Sequence, residues 1–169
     1  MRQGFPQLVA PGKAMGVVND LSPTAKSAIG LFEGASHRFP VRVYFEDTDL
    51  SGVVYHANYL RYMERARSDM LRALGIEQRV AFDAGEGVYA VSALAIKYRR
   101  PARLDDDLVV VSYIVAIGAA TATIHQSVMR DDQHLTEAEV TAAFLTLDGK
   151  PRRQPKEWVA AFGRLHQEN

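Results

Sequence analysis

The chain has 169 residues, 47% of them hydrophobic, enough for one substantial core and too few for two comfortable domains. Its 20 basic and 20 acidic residues cancel, so no net field exists to hold a nucleic-acid backbone or an anionic membrane, and any phosphate must be bound locally. Cysteine is absent, which excludes disulfides, thiolate nucleophiles and zinc–thiolate sites, and the five scattered histidines offer no metal-ligand spacing, so no metal is expected.

Residues 1–36 mix Gly, Pro and small residues without a sustained period and read as an N-terminal extension, leaving residues 37–169 as the domain. The start lacks the charge, apolar stretch and small-residue cleavage site of a signal peptide. With no run of about eighteen apolar residues anywhere, a cytoplasmic location without a membrane span is expected. Residues 38–45, RFPVRVYF, alternate and predict a first strand whose beginning Pro40 marks as an edge. The stretch EDTDLSGVVYHAN then interrupts both periods, ending on Asn58, a good N-cap. Beyond it Tyr59, Tyr62, Met63, Ala66, Met70, Ala73 and Leu74 fall on one helical stripe that stops at Gly75.

A shorter helix is predicted over residues 77–83, then four long strands over 88–98, 108–117, 121–129 and 135–147. Short turns join the last three into an antiparallel meander. In the last of them Ala138, Val140, Ala142 and Phe144 alternate with Glu137, Glu139 and Thr141, so one sheet face packs while the other is at least partly wet. A final helix over residues 156–165 closes the chain. The fold class is therefore α+β, with the long helix laid on a curved, five-stranded antiparallel sheet.

Glu46, Asp47 and Asp49 stand just before Gly52 and a helix start. Acidic residues there commonly cap the helix, and on composition alone capping is about twice as likely as catalysis. Gly52, His56 and Asn58 strengthen the catalytic reading, since a carboxylate, an imidazole and a helix N-terminus then share one short loop. A carboxylate can attack a carbonyl or take a proton from water, and free N–H groups can hold the resulting oxyanion. His125, in a strand without acidic or Gly-rich neighbours, is read as structural.

The stretch VRVYFEDTDLSGVVYHANYLRYMERARSDML closely resembles the hotdog-fold acyl-CoA thioesterases of the 4-hydroxybenzoyl-CoA thioesterase family. YRRPARLDDDLVV and the pair EAEV are similar to its Tol-Pal-associated (YbgC-type) branch, so the resemblance spans residues 38 to about 155. It implies a hotdog fold, with the sheet wrapped around the long helix. It also implies a homodimer or homotetramer with sites between subunits, and hydrolysis of short- or medium-chain or aromatic acyl-CoA to free acid and CoA.

By that resemblance Asp49 is the nucleophile or general base, and the backbone N–H of His56 helps form the oxyanion site, with Gly52, Val53, Tyr55 and Asn58 around it. Glu64 matches an acidic position that shapes the acyl pocket, although an ion-pair row with Arg61 and Arg67 is the weightier reading. Phe45 stands where the branch commonly has tyrosine, and strand alternation would turn Tyr44 to the other face. Arg99, Arg100 and Arg103 suit the phosphates of CoA, with plain surface solvation an even rival. No cofactor is implied beyond the CoA of the substrate; an acyl carrier protein or an envelope-system protein is a further expected partner. Two rivals remain open: a hotdog-fold acyl dehydratase, and an acyl-thioester-binding or envelope and lipid-synthesis interaction module with weak catalysis.

Overall fold

The computed structural model describes residues 29–166, so the first 28 positions of the expected extension lie outside the described residues. The elements run β1 (Leu31–Glu33), β2 (Ser36–Arg42), a 3-10 turn (Phe45–Asp47), α1 (His56–Ala73), α2 (Gln78–Asp83), β3 (Val88–Tyr98), β4 (Asp107–Ile117), β5 (Thr121–Arg130), β6 (Gln133–Leu145) and α3 (Lys156–Gly163). The strands form one antiparallel sheet in the order β1-β2-β4-β5-β6-β3, with α1 packed against β2, β4 and β5 in the hotdog arrangement.

Six strands replace the expected five. The extra one, β1, has three residues and folds back on β2 through Gly34 at φ +59°; it is too short for a hydrophobic period to register. The strand expected to reach Phe45 ends at Arg42. Val43 donates instead to the Asp106 carbonyl at 3.0 Å, and Phe45–Asp47 coil because the Asp47 carboxylate accepts the Tyr44 amide at 2.8 Å.

Helix α1 also begins earlier than expected. Asn58 is not its N-cap but lies in its first turn, and Tyr55 holds the capping position. The stop is as the pattern predicts. Gly75 takes φ +78°, Gly75 N–H donates to Arg72 O at 3.0 Å, and Ile76 N–H donates to Leu71 O at 2.9 Å, closing a Schellman turn that a side chain with Cβ would strain.

Beneath α1 the apolar interior falls into two halves. Phe39, Val110 and Val128 pack with Tyr59, Met63 and Ala66 at the start of the helix, while Ile114 and Ile124 pack with Met70, Leu71 and Phe162 at its end. Between them runs a polar seam. His37, Ser112 and Gln126 are register partners on successive strands, all fully buried. Gln126 donates to Ser112 Oγ at 2.9 Å and to the Met63 carbonyl at 3.0 Å, and it accepts Arg67 at 2.6 Å. At the β2 end Asp69 of α1 lies 3.1 Å from His37 Nε2 and accepts the amides of Ile29 (3.0 Å) and Gly30 (2.8 Å), tying the start of the described chain to the helix.

Candidate active site

Asp49 sits in a loop closed by its own backbone. Its N–H donates to Val53 O at 2.9 Å, its carbonyl accepts Gly52 N–H at 2.9 Å, and Thr48 bridges Val54. Gly52 at φ +75° makes that turn, a conformation costly for a residue with a Cβ. The return arm is pinned to the next segment, with Val54 N–H on Ala102 O at 2.8 Å and Val53 bridging Arg103. One carboxylate oxygen of Asp49, Oδ1, accepts both the hydroxyl (2.5 Å) and the amide (2.8 Å) of Ser51. These two bonds, followed by the Val53 contact and the nearby His56, hold the Asp49 carboxyl below its ordinary pKa, so it is ionised at neutral pH.

The three acidic residues of the motif part company. Glu46 and Asp49 are exposed, whereas Asp47 is buried, and its carbonyl accepts Tyr55 N–H and Asn58 Nδ2–H, both at 2.9 Å. None of the three caps α1, so the capping reading is corrected: the helix has no side-chain cap and no acid in its first turn. The amides of Gly52, Tyr55 and Asn58 are taken up by Asp49 O, Asp47 O and Tyr55 O, which makes them frame rather than free donors. His56 and Ala57 N–H meet no acceptor among the described residues. Ala57 is the donor that sequence reading missed, because an alanine carries no side-chain signal and only the true helix start identifies it.

His56 is exposed, its ring tilted on Tyr55 at 4.4 Å and edge-on to Tyr98 at 6.2 Å, and its carbonyl accepts the Tyr98 hydroxyl at 3.1 Å. Tyr98 carries no signal of its own in the sequence, since its place beside the helix start depends on the sheet register. His56, Tyr59 and Tyr98 line an open cleft with Arg99 and Arg100. Arg99 is engaged by Glu137 (2.5 Å), while Arg100 and Arg103 form no ion pair with a described residue. Glu64 lies farther along α1, paired with Arg67 and beside Ser68, at the mouth of an apolar pocket floored by Ile114, Ile124 and Phe162.

Phe45 is 81% and Tyr44 62% exposed. Neither belongs to a strand, so the expected opposition of their faces does not hold. With exposed Leu50, Tyr55 and Leu104 they leave a scatter of uncovered apolar side chains on the segments that carry and flank the Asp49 loop. His125 stacks on Tyr113 at 4.8 Å, away from the loop. Among the described residues no three His, Asp or Glu side chains converge as metal ligands.

Residues 51–137 match the family described as the thioesterase superfamily. The chain is similar to the Acyl-CoA thioesterase YbgC of Haemophilus influenzae, 44% identical over 128 residues that make up 75% of this chain and 94% of the relative. The Acyl-CoA thioester hydrolase YbgC of Escherichia coli O157:H7 is 41% identical over 127 residues, covering 74% of this chain and 94% of that one. Among solved structures, a probable thioesterase from Bartonella henselae superposes with a TM-score of 0.68 at 37% identity, covering 71% of this chain and 99% of its own.

Proposed function

The chain belongs to the thioesterase superfamily, and from that membership we propose that it hydrolyses acyl-CoA thioesters to the free acid and CoA, with Asp49 as the reacting carboxylate. One observation carries the assignment of Asp49. An ionised, exposed carboxylate stands in the loop that leads into a long helix whose first amides, His56 and Ala57, are uncapped. A thioester carbonyl seated there would present its carbon to Asp49 or to a water that Asp49 activates. Its oxygen, as it gains charge, would be held by the two amides and the positive end of the helix. Expulsion of the CoA thiolate then leaves either an acyl–Asp49 anhydride, which water hydrolyses, or the acid directly.

Ser51 aligns the carboxylate by occupying Oδ1 and leaving Oδ2 for reaction. His56 contributes its amide and, with Tyr98, a wall of the cleft. Arg100 and Arg103, rather than the engaged Arg99, suit the CoA phosphates. The acyl group would lie against α1 near Glu64, in the pocket floored by Ile114, Ile124 and Phe162.

The functional unit is proposed to be at least a homodimer. β3 is an edge strand of 11 residues with Val91, Leu94 and Tyr98 exposed, a long and partly apolar edge that a second copy covers best. The cytoplasm, where CoA thioesters are made and used, is the proposed compartment. Asp49→Asn tests the assignment with acyl-CoA substrates followed by free-thiol release. The variant should stay folded and lose on the order of 10³-fold or more in kcat, and turnover near that of the parent would refute the role.

A further inference from the structure

Asp47 is close in sequence to the proposed reacting carboxylate and is not itself exposed for chemistry, yet it is as heavily bonded as Asp49. Its carboxylate accepts Tyr44 N–H at 2.8 Å and faces the buried hydroxyl of Tyr62, from the second turn of α1, which is near it but closes no hydrogen bond among the described residues. Its carbonyl accepts Tyr55 N–H and Asn58 Nδ2–H, both at 2.9 Å, and its own N–H donates to Tyr44 O at 3.0 Å. The strand exit, the 3-10 turn and the first two turns of α1 are thereby joined at one residue. Two positions on, Asp49 closes its loop; on the other side, the same contacts fix where the His56 and Ala57 amides point.

We propose that Asp47 is a positioning residue that sets the register between the Asp49 carboxylate and the open amide end of α1. The inference rests on the assignment of Asp49 above. It explains why a charge is buried here. A carboxylate within a core costs stability, and this one, bonded to Tyr44 N–H and facing Tyr62, is kept because it holds two reacting groups in fixed relation. Loss of that relation acts on the transition state more than on binding, because Arg100 and the residues lining the acyl pocket make no hydrogen bond with Asp47.

The test compares Asp47→Asn, Tyr62→Phe and Asn58→Ala with Asp49→Asn, using acetyl-, hexanoyl- and benzoyl-CoA with free-thiol detection, alongside thermal melting and sizing. D47N should fold and lose on the order of 10–100-fold in kcat, with KM changed less than about threefold. Y62F, which removes only the hydroxyl facing the carboxylate, should lose kcat in the same direction by a smaller factor, and it decides the matter if D47N does not fold. D47N and N58A combined should fall no further in kcat than the worse single variant, because both loosen one frame. A folded D47N or Y62F with kcat within about twofold of the parent, or with the loss confined to KM, overturns the positioning role. Retained turnover in D49N would instead overturn the underlying assignment, so the two failures are distinguishable.

Discussion

At the residue scale, the proposed chemistry depends on how Asp49 is kept ionised. Its carboxyl is held low chiefly by the Ser51 hydroxyl and amide, so Ser51→Ala should move the acid limb of the kcat/KM profile to higher pH, as read from initial rates across pH 3–7. An unmoved limb would mean that Ser51 does not tune the reacting group. Gly52→Ala meets no neighbour within 4 Å, so its cost is conformational: about 1–2 kcal/mol of strain at φ +75°. A lower melting temperature with a matching fall in kcat would report it. From sequence, the acidic trio read as one neighbourhood, and the burial of Asp47 between the exposed Glu46 and Asp49 was not legible. Burial of Asp47 and exposure of Asp49 follow from the 3-10 turn at Phe45–Asp47, which has no period to read.

At the element scale, the long helix and β3 to β6 were legible to within a few residues, since alternation and the 3.6-residue stripe extend over ten residues or more. The polar seam was not. Ser112 and Gln126 sit at inward positions of strands that already read as strands, and nothing local announces that they face one another under a helix. Gln126→Leu leaves the Arg67 guanidinium, Ser112 Oγ and Met63 O short of a partner, and should cost about 1–3 kcal/mol by urea unfolding.

At the other end of the seam, burial outweighs the pull of Asp69 and lowers the His37 pKa, while Nδ1 of that ring has no hydrogen-bond partner among the described residues. As pH falls below 6.5 the unfolded chain takes up this proton before the folded one does. Stability is therefore lost from that pH downward toward the folded pKa. Unfolding midpoints measured from pH 7.5 to 5 should fall more steeply for the parent than for His37→Gln.

At the scale of the whole molecule, a sheet with β1 at one edge and β3 at the other is protected unequally. β1 is three residues long, whereas β3 presents a long row of backbone groups. Leu94→Lys puts a charge in the middle of that row, and should shift the species seen by light scattering toward the monomer; turnover should fall with it if the reactive groups of two copies complete one another. A monomeric variant of full activity would place each centre within one chain. The hotdog architecture was legible through family resemblance. Its sixth strand was not, because three residues carry no period.

The crosswise band of hydrogen-bonding side chains also divides labour along α1. Everything that fixes the carboxylate and the open amides lies on one bank, while the far bank, with Phe162 of α3, meets the chemistry only through a rigid rod. On the proposed placement of the acyl group, enlarging or trimming residues there would redraw the room for a substrate tail without disturbing the proposed reacting groups, so a lineage of such proteins could change its diet and keep its teeth.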